Sequence, residues 1–299
     1  MNKILCPIDF SLASLNALEF AARLAELHQS SLTLIHIFTE SEFGEALSKG
    51  LLSSHYKQAD IDNLIGAAEK VLGNLAEEVK SLSKEGGLVD CDYHFTYGPL
   101  QQQLTQYAEK DGYELIVMGT TGVTDVVERF IGSNAVQTIE RAHCPVLCVP
   151  EKSNYQKFRK VVYASDYQVE DGDILKLIAN FIAPTSASLN VLHVAQQEND
   201  IEQAMYNDYQ ERIKAQIPEQ ELNFAIGYHQ DSAHGIDQYV IQEKADLLVL
   251  LYQPKNFIQS LLDDSTTKSI TYFATYPVLI YKSLDTEIKN VDQKPVEPS

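Results

Sequence analysis

Leu115-Ile116-Val117-Met118-Gly119-Thr120-Thr121-Gly122, then nine residues, then Gly132-Ser133-Asn134, is the stretch that decides how this chain is read. Its first four residues are apolar with no polar alternation, the pattern of a strand buried on both faces. The spacing predicts a break at Gly119, a turn through Thr120 and Thr121 to Gly122, and an excursion. A helix then opens at Gly132-Ser133, with Val136 and Ile139 on one face. That order is what a phosphate site needs. Glycines admit a ligand close to the backbone. A helix start offers unpaired N–H groups and the positive end of a dipole. Ser133 can add a hydroxyl or cap the helix. The same glycines could also serve turns alone. No lysine follows a glycine in a Walker-type loop, and no G-x-G-x-x-G opens a helix after the first strand. A phosphate here would be held by backbone amides, hydroxyls and a metal ion.

Upstream, Lys3 to Ile8 reads as a short buried strand ended by Pro7 and Asp9, and Ser11 caps a helix with Leu12, Leu15, Leu18, Ala22 and Ala25 at helical spacing. Leu32 to Phe38 is a second strand containing His36. An amphipathic helix follows from about Asp60 to Ser83, ended by Gly86-Gly87. Cys91 to Tyr97 is a third strand, Leu100 to Lys110 a third helix, and Pro145 to Val149 a last strand. Strands alternating with helices mean an α/β fold with a parallel sheet covered on both faces.

The 299 residues suggest two domains, and 42 acidic against 23 basic residues give a formal charge of −19. That field disfavours nucleic acid, and no basic cluster offsets it. The four cysteines form no C-x-x-C pair and read as free core thiols of a reducing compartment. The N-terminus runs straight into a strand, and no apolar run is long enough to span a membrane. The expectation is a cytoplasmic protein without membrane contact.

After a polar bridge, Glu151 to Lys157, the pattern starts again. Lys3–Asp9 is echoed by Lys160–Asp166 and Leu32–Ile37 by Leu189–Val194, both at an offset of 157 residues. Glu114–Met118 is echoed by Asp246–Leu250 and Pro145–Leu147 by Pro277–Leu279, both at 132. The stretch from Thr39 to about Glu85 has shrunk in the second copy to roughly Gln196–Gln220, a net loss of 25 residues. The chain therefore divides into 1–152, with the glycine motif, 158–284, without it, and a polar tail, 285–299, expected to be disordered. In the second copy Gly119 becomes Leu251, Gly122 becomes Pro254 and Gly132 becomes Asp264; only Ser133 keeps its type, as Ser265. The second copy keeps its strands and loses the anion motif.

Together these features resemble the universal stress protein family in its tandem two-domain form. The residues that carry the resemblance are Gly119, Gly122, Gly132 and Ser133 in unbroken spacing, Asp9 with Ser11, His36-Ile37, and the Pro-Val-Leu of the last strand. The resemblance implies two open five-stranded parallel sheets of order 3-2-1-4-5, adenine nucleotide alpha hydrolase-like, with ATP across the strand carboxyl ends. It implies that Pro7, Ile8, Asp9 and Ile37 surround adenine and ribose. Met118, Gly119, Gly122, Gly132, Ser133 and Asn134 would line ribose and phosphates, with Mg2+ or Mn2+ on the nucleotide. It also implies that Pro145–Val149 and Pro277–Tyr281 meet as an intramolecular pseudo-dimer; a homodimer of whole chains is compatible with that.

Single residues are read more plainly. Asp9 could only end a strand and cap a helix, and His36 and His193 read as satisfied core histidines. Neither His94 nor His143 has a partner at metal spacing, and the Asp125, Glu128 and Arg129 group reads as a solvated face, although Arg129 could reach a phosphate. No general base or arginine finger can be named, so the chain reads as a binding protein first, with slow hydrolysis left open. The alternative is a non-enzymatic adaptor whose second domain binds a protein or an apolar ligand through Tyr206, Tyr209, Phe224 and Tyr228, although these also read as plain core or rim aromatics.

Overall fold

The computed structural model describes residues 1–39, 58–82, 89–120, 133–253 and 275–283. Gly122, Gly132, Asp125, Glu128, Arg129, Pro254, Asp264, Ser265 and the 285–299 tail lie outside the described residues, as does the Ser133 side chain.

The first half runs β1 (Lys3–Pro7), α1 (Leu12–His28), β2 (Ser31–Phe38), α2 (Gln58–Leu82), β3 (Cys91–Tyr97), α3 (Leu100–Lys110), β4 (Leu115–Thr120), α4 (Ser133–Arg141) and β5 (Val146–Pro150). The second runs β6 (Lys160–Ala164), α5 (Asp171–Ile182), β7 (Ser188–Ala195), α6 (Asp200–Gln216), β8 (Leu222–Tyr228), α7 (Ser232–Glu243), β9 (Leu247–Tyr252) and β10 (Val278–Lys282). All ten strands form one sheet of order β3-β2-β1-β4-β5-β10-β9-β6-β7-β8. Each half has the order 3-2-1-4-5 and is parallel within itself. The halves join where β10 runs antiparallel to β5, with Leu279 opposite Leu147. β5 is buried at every position and β10 at all but its last, so pairing them hides two apolar edges that would otherwise invite foreign strands.

The strands are apolar on both faces because both faces are covered. Ile4, Cys6, Val117 and Val149 share one layer with α1 and α2, and this layer continues under α5 and α6 of the second half. Leu5, Ile116, Met118 and Cys148 pack in the opposite layer under α3, α4 and α7. Each large aliphatic side chain buried this way contributes roughly 1.5–3 kcal/mol.

One local expectation is corrected. The strand does not break at Gly119: β4 continues through Thr120, because β5 supplies ladder partners in Val149 and Pro150. The polar bridge is also more than a bridge. The amide of Glu151 donates to the Thr120 carbonyl (3.0 Å). The Asn16 side chain in α1 donates to the carbonyls of Pro150 and Ser153, both at 2.8 Å. Tyr155 packs edge-on against Phe20, and Phe158 is buried in the core.

Candidate functional site

The carboxyl ends of β1 and β4 sit side by side at the point where the strand order reverses, which is where open α/β sheets bind ligands. Pro7 ends β1, opposite Ile35. Ile8 is buried; its amide donates to the Ile35 carbonyl (2.8 Å), and its own carbonyl accepts from His36 Nδ1 at 2.7 Å. His36 is thus a satisfied core histidine whose Nδ1 carries the proton. Asp9 Oδ1 accepts from the Ser11 amide (2.9 Å), while Ser11 Oγ accepts from the Ser14 amide (3.2 Å) and caps α1. Burial pushes the Asp9 carboxyl up, but the Ser11 hydroxyl and amide outweigh it and hold it below its ordinary value. Between Asp9 and Ser11, Phe10 takes a left-handed conformation (φ 64°) that lays its ring over His36, centroids 4.9 Å apart.

Ile37 and Met118 are buried, and their side chains lie in the α3/α4 layer, so only their backbone can meet a ligand. Gly119 has a packing requirement of its own. A Cβ there would stand 2.3 Å from the Ala13 carbonyl carbon and oxygen and 2.7 Å from the Ser14 amide, because α1 begins directly against it. Its glycine is therefore demanded by helix–strand contact whether or not a ligand is present.

Next to it, Thr120 follows Ile116 and Met118 on the α4 side of the sheet by strand alternation. Its hydroxyl is buried and has no hydrogen-bond partner among the described residues. The start of α4 follows, with Asn134 exposed in its first turn and accepting at Oδ1 from Gln101 Nε2 of α3 (2.7 Å). The described residues thus bring Pro7, Ile8, Asp9, Met118 and Gly119 to one sheet end, and set Ser133 and Asn134 at the start of the helix that follows β4. Sequence reasoning missed Phe10, Gln101 and Thr120. The first could have been suspected from its echo in Tyr167; the other two carry no sequence signal.

The donors on the described side of this site are hydroxyl and amide groups, which suit phosphate oxygens better than a bare cation. No group of three or more His, Cys, Asp or Glu that could hold a metal ion occurs among the described residues.

The second half has the same ends and a different filling. Tyr167 (φ 57°) stacks on His193 at 3.9 Å, and His193 Nδ1 donates to the Ser165 carbonyl (2.9 Å), repeating Phe10, His36 and Ile8. Leu251, the counterpart of Gly119, is buried with its side chain in the core. Asp171, the counterpart of Ser14, is fully buried and accepts three hydroxyls: Tyr163 at 2.5 Å, Ser165 at 2.5 Å and Tyr209 at 2.7 Å. Burial pushes the Asp171 carboxyl up, although the three hydroxyls pull the other way. Tyr209 is thus a core residue and not free for apolar capture, while half-buried Phe224 packs edge-on against it. Tyr228 stays exposed.

A family model described as the universal stress protein family matches residues 1–150. The universal stress protein MJ0531 of Methanocaldococcus jannaschii is 31% identical over 151 residues, covering 50% of this chain and 81% of that one. YxiE of Bacillus subtilis is 28% identical over 148 residues, covering 50% and 98%. A solved universal stress protein of Archaeoglobus fulgidus superimposes with a TM-score of 0.72 at 18% identity, over 94% of this chain and 98% of that one. A shorter structural neighbour, TM-score 0.34 at 18% identity over 50% of this chain and 96% of its own, was solved with cAMP bound. No helix among the described residues is long and apolar enough to cross a membrane.

Proposed function

Because the chain belongs to the universal stress protein family, we propose that it is a nucleotide-binding protein of stress response or signalling. It holds an adenine nucleotide, ATP with Mg2+ or Mn2+, in the first half alone. One contrast carries this reading. At the end of β4 the first half keeps a buried Thr120 hydroxyl with no hydrogen-bond partner among the described residues, beside the start of α4. Near the same strand end of the second half, the Ser165 and Tyr209 hydroxyls are spent on Asp171.

On this reading Pro7, Ile8, Asp9 and the Ile37 backbone border adenine and ribose. The backbone of Met118 and Gly119, with Gly122, Gly132, Ser133 and Asn134, follows ribose and phosphates. The antiparallel β5–β10 pairing supports taking 1–152 and 158–284 as two domains of one pseudo-dimer.

The test is isothermal titration of the whole chain with ATP, AMP and cAMP, comparing wild type with Gly132→Asp. We expect one site per chain and at least a tenfold loss of ATP affinity in the variant, since a carboxylate would face the phosphates. Equal heats in both proteins, or two equivalent sites per chain, would refute the reading.

A further inference from the structure

A separate cavity of about 320 Å3 opens at the seam of the two halves, at the lower end of the range for small-molecule sites. Residues 152–158, the end of α7 and the run into β10 meet there. Its lining includes Lys152, Asn154, Gln156, Lys244 and Thr275. Asp246 also lines it, but that carboxylate already accepts from the amides of Arg159 (2.7 Å) and Lys160 (3.0 Å). Neither Lys152 nor Lys244 is ion-paired with a described residue, whereas Lys80, Lys160 and Lys176 are. In a chain with 42 acidic and 23 basic residues, two uncommitted ammonium groups on one cavity form a local island of positive charge.

Lys244 also has a left-handed backbone, as does Gln29 where it closes α1 (φ 54°). It closes α7 in the left-handed region, φ 51°, with its amide on the Ile241 carbonyl (3.1 Å) and the Ala245 amide on the Val240 carbonyl (3.0 Å). Its counterpart at the 132-residue offset is Gly112, φ 68°, at the end of α3. There the Gly112 amide reaches the Glu109 carbonyl (3.2 Å) and the Tyr113 amide the Ala108 carbonyl (2.9 Å). The closing motif is the same. The first half uses the residue that adopts this conformation without strain; the second uses a lysine, which does not. A cation near a helix end favours the dipole, but any position in the last turn would serve that purpose. At the end of α7 the residue in this conformation also lines the cavity.

We propose that this seam cavity binds a small multivalent anion, a metabolite bearing phosphate or carboxylate groups, between Lys152 and Lys244. The carboxamides of Asn154 and Gln156 and the Thr275 hydroxyl supply further donors. The site is independent of the nucleotide reading. Because both lysines are exposed, binding weakens as salt rises.

The test uses the full chain at low ionic strength, in the Gly132→Asp background to silence the first-half site. Pyrophosphate and citrate are titrated separately, and lysine acetylation is followed by mass spectrometry. Lys152 and Lys244 should be protected at least threefold by one or both anions, with Lys110 unaffected; which anion protects identifies the phosphate or carboxylate source. Lys244→Gly should keep or raise the melting temperature while weakening the anion at least tenfold, and Lys152→Met should weaken it at unchanged stability. Uniform protection of all lysines, no protection, or undiminished binding to Lys244→Gly would each overturn the proposal.

Discussion

Ser14 and Asp171 stand at the same step of the repeat, and the two halves do opposite things there. In the first half α1 begins at Leu12, and its backbone at Ala13 and Ser14 closes on Gly119. In the second, α5 begins only at Asp171, two residues later by the repeat, and the retreat leaves room for Leu251. The carboxylate that opens α5 then draws Tyr163, Ser165 and Tyr209 into a knot that ties β6, α5 and α6 together. An acid in a first helical turn also suits the helix dipole. One sheet, with one strand order, thus supports either a bare end or a packed polar one. The choice lies in where a helix starts, because the strands do not have to move.

The contrast can be broken at several points. Gly119→Leu, which gives the first half the second half's residue, should cost about 3 kcal/mol or more, because the first new atom meets backbone that cannot swing aside. Urea unfolding checks it; a midpoint like wild type would mean that α1 can retreat as α5 does. Asp171→Asn should cost about 2 kcal/mol in the same assay, since a neutral amide cannot accept all three hydroxyls as the carboxylate does. Tyr209→Phe removes only one of those bonds and should cost about 1 kcal/mol.

The smallest effect is one of sign. Asp9 and Asp166 are repeat counterparts with opposite shifts. Asp9 lies below its ordinary value because its bonds to Ser11 outweigh burial; burial dominates at Asp166 and raises it, against the pull of His193. For Asp9 the unfolded chain binds protons first, so the stability it contributes is present above its ordinary value of 3.8 and is lost as pH falls through its folded value. For Asp166 the folded chain binds protons more readily, so stability is lost as pH rises from 3.8 through its folded value. Asp9→Asn should therefore flatten the acid limb of a stability–pH profile, and Asp166→Asn should raise stability on the neutral side relative to the acid side. Shifts of the same sign in both variants would refute the difference between the two ends.

Much of the scaffold was legible because its signals are local and periodic. Cys91–Tyr97 and Leu100–Lys110 have the ends that the sequence spacing predicts. β4 runs past its predicted end because a glycine and a threonine read as a turn unless a partner strand is known to continue beside them. Part of the candidate site was legible for the same reason. Ser11 caps α1 and His36 is satisfied, as short-range chemistry suggested. The Asp171 knot was not legible. Its partners Tyr163, Ser165 and Tyr209 lie 8, 6 and 38 residues away, in β6, just after it and in α6, at no spacing that marks them as a set. Tyr209 could be read from the sequence as a core aromatic, but the carboxylate that holds its hydroxyl could not.

The sequence by itself determined the repeat, the α/β alternation and the loss of glycine in the second copy. These follow from periodic burial and from residue types that tolerate few conformations. Only the tertiary structure decided that Gly119 answers to α1, that ten strands make one sheet, and that Lys244 stands over a cavity at the seam. Each depends on which distant backbone comes to lie within a few ångströms, and close approach between remote segments leaves no period in the chain.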